Sequence, residues 1–162
     1  MTLPIVLDRI HEINGKITVT DEDDNPVTVH TSRTYPTTLT TNNLPMITAV
    51  PAPGQFSTPW GNADDYTIVQ EDAQIEIIVF TTNYYADANR GVAQLLAEKL
   101  MQSVKQVYWA RPRLELDGGD ELSCMVENAR LNNRASITQF NNLVLEIVFT
   151  LNVPFEEKIE RV

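Results

Sequence analysis

One change of hydrophobic period, between residues 73 and 110, constrains this chain more than any other feature. Ala73 to Thr81 reads AQIEIIVFT. Ile75, Ile77 and Val79 fall on one side of a strand, and Ile78 and Phe80 fall on the other, so both faces are expected to be buried. From Asp87 to Tyr108 the spacing becomes helical. Val92, Leu95, Leu96, Leu100, Val104 and Val107 recur at intervals of three and four, with Gln94, Glu98, Gln102 and Lys105 opposite, which predicts an amphipathic helix. Asp87 and Asn89 both stand where a cap belongs. A buried strand that leads into a long helix requires a sheet with helix laid on it.

The flanking sequence extends that frame. Leu3, Val6, Leu7, Ile10 and Ile13 predict a short helix over residues 2–13, with Thr2 as cap and Pro4 in the first turn; Asn14-Gly15 is expected to end it through a left-handed glycine. Ile17 and Val19, then Val27 and Val29, alternate around DEDDNP and predict a hairpin with an acidic tip. Thr31 to Asp65, with Pro36, Pro45, Pro51, Pro53 and Pro59, shows no period. It reads as an irregular arm or loop, too long for a passive connection. Tyr66 to Val69 predicts a further strand. After the helix, Arg111-Pro112-Arg113 breaks the pattern, Leu114 to Leu116 starts a strand, and Asp117-Gly118-Gly119-Asp120 turns the chain. Leu122 to Leu131 and Leu143 to Val153 read as an antiparallel pair joined by a polar loop over Asn132 to Asn142. Pro154 is expected to end regular pairing and to leave a charged tail. The sum is one α+β domain over residues 1–162, a mostly antiparallel sheet with a long helix on one face and a short N-terminal helix.

Several function classes find no support in the residues. The formal charge is −10, from 12 basic and 22 acidic residues, without the clustered basic surface that phosphate neutralisation needs. Cys124 is the single cysteine, so neither a disulfide nor a thiolate zinc site can form within the chain, and its alternation with Leu122 and Val126 reads as a small buried hydrophobe. His11 and His30 are too few for a metal site and lie in separate elements. Asp21 to Asp24 lacks the glycine and the closing glutamate of a calcium loop and reads as a solvated turn. The two glycines between Asp117 and Asp120 lack the Gly-Lys-Ser/Thr of a phosphate cradle. Glu76 and Glu146 interrupt apolar strand faces without an accompanying base or oxyanion site, and read as edge positions facing solvent or a neighbouring subunit. The start of the chain lacks the basic leader of a signal peptide, and no apolar run has the length of a membrane span, so a soluble protein made in the cytoplasm is expected. No cofactor and no catalysis are expected.

The order of a short N-terminal helix, a proline-rich extended middle, QIEIIVFTTNYYADANRGVAQLLAEKLMQSVKQVYWARPRLEL and a closing long hairpin resembles the tail-terminator, or tail-completion, proteins of long-tailed bacteriophages. That resemblance implies a small α+β subunit of a hexameric ring in the virion neck, which stops tail-tube polymerisation and joins tail to head. Its implied partners are further copies of itself, the tail-tube protein and a head-completion or connector protein, with DNA passing through the lumen unbound. Another neck protein, a tail-tube subunit, and a soluble enzyme with an unrecognised site are the alternatives. The segment Thr31 to Asp65 reads either as an arm that contacts a neighbouring subunit or as a loop folded on its own core. The candidate interface residues are Leu44, Met46, Ile47 and Trp60, together with Tyr84 and Tyr85 before the helix.

Overall fold

In a computed structural model, residues 2–52, 56–62, 65–117 and 129–160 are described. Helix α1 spans Leu3–Asn14, and α2 spans Arg90–Trp109. The strands are β1 (Val19–Thr20), β2 (Pro26–Val27), β3 (His30–Ser32), β4 (Met46–Pro51), β5 (Phe56–Asn62), β6 (Tyr66–Thr82), β7 (Arg130–Leu131), β8 (Ser136–Gln139) and β9 (Val144–Glu160). Strands β1 and β2 form the small acidic hairpin, where the Asp21 carboxylate accepts the backbone N–H groups of Asp23 and Asn25, both at 2.9 Å, and fixes the turn. The remaining strands make one sheet, antiparallel except for β3 against β4. The fold is α+β, as the residues predict.

Strands β6 and β9 run through the middle of the sheet. They pair over 17 residues each, from Tyr66 opposite Glu160 to Thr82 opposite Val144, a ladder of roughly 55 Å at ~3.3 Å per residue. The separate strands expected at Tyr66–Val69 and Ala73–Thr81 are therefore one. Strand β9 also continues through Pro154, which sits opposite Asp72, so the expected charged tail is regular strand to Glu160. Proline is compatible with a strand where its nitrogen owes no ladder bond.

The expected irregular segment is corrected in the same way. Strand β4 pairs with Ile75 to Phe80, and β5 pairs with Thr67 to Asp72, end to end along one edge of β6. Strands β4 and β5 thus run along one side of β6, with a bulge in β5 between Pro59 and Gly61. Prolines and threonines obscured the alternation, but proline is compatible with an edge strand. On the outer side of β9, β8 pairs with Leu145 to Val148, inside what reads as a polar loop. Strand β7 follows along the same edge. Of Leu114 to Leu116, only Leu116 is in strand-like pairing, as an isolated bridge. Leu114 adopts a left-handed backbone (φ 54°) and is fully buried, and its carbonyl accepts a hydrogen bond from Arg9 Nη1 at 3.0 Å. The local cost of such a conformation, ~1 kcal/mol, is offset by that burial and contact.

Both helices lie on the sheet face formed by Ala73, Ile75, Ile77 and Val79 of β6 with Ile147, Phe149, Leu151 and Val153 of β9. Helix α1 contributes Val6, Leu7, Ile10 and Ile13. It starts at Thr2, whose backbone is extended but whose side chain makes no capping bond, and it ends at Gly15 with a right-handed φ of −64°, so the left-handed closure expected of that glycine does not occur. A Cβ at Gly15 would lie 3.2 Å from the Glu12 carbonyl oxygen, a tight approach.

Helix α2 is rotated from its expected orientation. Its inward residues are Ala93, Ala97, Leu100, Val104 and Tyr108, and the small alanines let its axis lie close to the sheet. Val92 and Leu95, expected inside, are exposed. Tyr108 anchors α2 to α1, because its buried hydroxyl donates to Asn14 Oδ1 at 2.6 Å, and burial pushes the phenol well above its ordinary pKa. A second, smaller core covers the other sheet face, where Ile78, Phe80 and Val144 meet Leu39, Leu44, Met46 and Phe140. The expectation that the central strand is buried on both faces holds.

Candidate assembly surfaces

The outer half of the long ladder is the most distinctive surface. On the helix-covered side the apolar core reaches only to Ala73 along β6 and to Phe155 along β9. Beyond those residues, β5, β6 and β9 continue as a three-stranded arm. Each of its long margins is open among the described residues: β5 pairs only with β6, and β9 from Val153 to Glu160 pairs only with β6. Such margins present rows of backbone donors and acceptors able to continue a sheet. The β9 margin carries Glu156, Glu157, Lys158 and Glu160. Glu71, diagonal to Glu157 across the ladder, has its pKa raised, first by burial and then by the Glu157 charge. Charges along an open strand discourage indiscriminate pairing.

The six candidate interface residues separate into different environments. Ile47 is fully buried in β4 opposite Val79, so it is a core residue and presents nothing to a neighbour. Tyr84 is also buried in the main core, with its ring 4.6 Å from that of Tyr85. Leu44 and Met46 are half-buried against the second core. Among the candidates with described side chains, Tyr85 alone is well exposed, with the Arg90 guanidinium 4.9 Å from its ring centre. Trp60 stands on β5 at the bulge, and its side chain lies outside the described part. Tyr84 and Tyr85 make a ring contact, and Leu44 and Met46 pack against the same second core.

Glu76 and Glu146 do not occupy edge positions, and both act, after burial, to raise the pKa of the same tyrosine, Tyr35. Both are on the two central strands, and the register places Glu146 opposite Phe80, four residues along β6 from Glu76, a separation of ~13 Å. Glu146 accepts a hydrogen bond from the Tyr35 hydroxyl at 2.8 Å. That tyrosine phenol is pushed up to about 12, chiefly by burial and then by Glu146, while its ring packs edge-on to Phe80 at 5.6 Å. The carboxylate thus pins the segment after β3 onto the sheet. His11 lies on α1 and His30 opens β3, two elements apart. Among the described residues no group of three or more His, Cys, Asp or Glu side chains is placed to hold a metal ion. Cys124 and the predicted Leu122–Leu131 strand as far as Asn128 fall outside the described residues, as do the two glycines after Asp117, while the end of that strand is β7 and pairs antiparallel with β9 as expected.

A feature that periodicity missed is the outer stripe of α2. Leu95, Glu98, Gln102, Gln106 and Trp109 are all exposed, and Val92 flanks them. The signal was present in the sequence as Ala93 and Ala97, whose spacing with Leu100 and Val104 defines a competing inward face. Comparison with protein-family models and with curated proteins returns no match.

Proposed function

We propose that this protein is a structural assembly subunit, a bacteriophage tail terminator that forms a hexameric ring at the head-proximal end of the tail tube. The observation that carries the reading is the three-stranded arm of β5, β6 and β9, whose two long margins are unpaired among the described residues and offer backbone donors and acceptors to a neighbouring copy. The two margins belong to strands of the same direction, since β5 and β9 are both antiparallel to β6. Joining the β5 margin of one copy to the β9 margin of the next is a heterologous contact, which closes into a ring when the rotation between copies permits. The resemblance of the element order to tail terminators supplies the stoichiometry and the place in the particle. In this reading the arms surround the DNA conduit, and the acidic balance of the chain keeps the passing polymer from adhering. The protein contacts the last ring of tail-tube protein on one side and a head-completion or connector protein on the other, and it catalyses no reaction.

Mass determination in solution, with images of the particles on grids, tests the ring. A hexamer is expected, alone or after addition of tail-tube protein. A particle that is strictly monomeric under both conditions contradicts it.

A further inference from the structure

Open sheet edges are normally protected by charge, proline or a bulge, and both margins of the arm carry such devices: Pro59 and a bulge on β5, and charges from Glu156 to Glu160 on β9. Strand β8 has none of them. Ser136-Ile137-Thr138-Gln139 is uncharged, pairs with β9 in unbroken register and is exposed at every position, Ile137 by 42%. The Phe140 N–H donates to the Val144 carbonyl, and bonded pairs alternate along an antiparallel ladder, so Ser136 and Thr138 bond to β9 while the backbone groups of Ile137 and Gln139 point away from it. Among the described residues nothing pairs with them on that side.

Two cations stand at the start of this edge. Arg134 lies just before β8, and Arg130 of β7 is opposite Asn152, which is roughly 17 Å along β9 from Ile147, the partner of Ile137. Both are exposed, and neither guanidinium has an ion pair or hydrogen bond among the described residues. Other cations are engaged: Lys16 and Arg111 with Asp117, Arg33 with Asp8, and Lys99 with the carbonyls of Thr20 and Asp21. The stretch of β9 beneath this edge, Leu145 to Asn152, has Glu146 as its sole carboxylate, and Glu146 already accepts from the Tyr35 hydroxyl. We infer that β8 takes an acidic, extended segment of a partner protein by strand addition, with backbone pairing at Ile137 and Gln139 and the segment's carboxylates set against Arg134 and Arg130. Antiparallel addition puts those carboxylates at the segment's C-terminal end, because β8 runs from Ser136 away from both arginines. The backbone pairs supply attachment, and the arginines supply direction and choice of partner. A nucleic acid would use the arginines and leave the strand edge and Ile137 unused. The contact is separate from the arm and does not depend on the ring.

Fluorescence anisotropy with labelled peptides tests it. The probes are a short peptide of alternating valine and threonine that ends in glutamates, the same peptide ending in lysines, and an acidic version whose alternate residues are proline and cannot pair. The glutamate-ended peptide should bind about tenfold more tightly than the lysine-ended one, although the −10 charge of the chain by itself favours the reverse, and the proline version should not bind. Hydrogen exchange of the Ile137 and Gln139 amides should slow when the peptide is bound. Ile137→Pro removes an outward donor and no bond to β9, so it should abolish binding. Arg130→Glu/Arg134→Glu, at exposed positions, should reverse the preference from glutamate to lysine. Neither variant touches the arm, so the oligomeric state should match that of the unaltered chain in both. The inference is overturned if the glutamate-ended peptide does not bind, if the proline version binds equally well, or if the charge reversal leaves the preference unchanged. It is also overturned if single-stranded DNA binds more tightly than the peptide, or if Ile137→Pro dissociates an oligomer, because the occupant is then a nucleic acid or a second copy.

Discussion

Ending the chain after Pro154 is expected to destabilise the folded protein by about 3–5 kcal/mol, the range for removing a large buried aromatic. Phe155 is only 2% exposed, and residues 155–160 pair with Tyr66 to Glu71 along the whole arm. Their removal uncovers the core end and converts β6 from a central strand into an edge over that length. A detached charged tail would behave otherwise, since surface segments without buried contacts change stability by ~0.5 kcal/mol or less. Denaturant unfolding of the shortened and full chains distinguishes the two through the midpoint. The shortened chain should also fail to form the ring, because the β9 margin of the arm has gone.

Ile47→Ala is expected to cost about 2–5 kcal/mol of stability, as a fully buried isoleucine in the middle of a sheet does. Whatever folded protein remains should assemble normally, since Ile47 faces the helices and not the surface. Tyr85→Ala, at an exposed position, should leave the unfolding midpoint within ~0.5 kcal/mol of the unaltered chain. The pair of substitutions separates core residues from surface residues within one set of interface candidates that sequence alone treats as equivalent.

What was legible in the sequence is the part where period and burial agree. Ile75 to Phe80 alternate with both faces apolar, α1 keeps its spacing from Val6 to Ile13, and the acidic hairpin is marked by its turn residues. The arm was not legible, because Gln70, Glu71 and Asp72 interrupt the apolar pattern of β6, although each is paired on both sides. Backbone pairing keeps a polar stretch in a strand that side-chain pattern alone would break. Strand β8 was hidden for the same reason: all four of its residues are exposed, so no alternation of burial accompanies it. The rotation of α2 shows a different limit. Period-counting rewards large apolar residues, whereas close helix-to-sheet approach selects Ala93 and Ala97, and the displaced Val92 and Leu95 then become surface. Of the candidate assembly residues, Tyr85 is exposed, while Ile47 and Tyr84 are apolar or aromatic for reasons of core packing.

Termination itself requires one face that accepts the last tube ring and an opposite face that recruits no further one, so its specificity depends on a mismatch as much as on an attraction. For the proposed terminator function, deleting the gene for this protein from a phage that carries it and measuring the tail-length distribution by electron microscopy is the most direct measurement. The account predicts tails of uncontrolled length that do not join filled heads. Tails of normal length that lack only head attachment, or no tubes at all, would contradict it, the first pointing to a different neck protein and the second to a tube subunit.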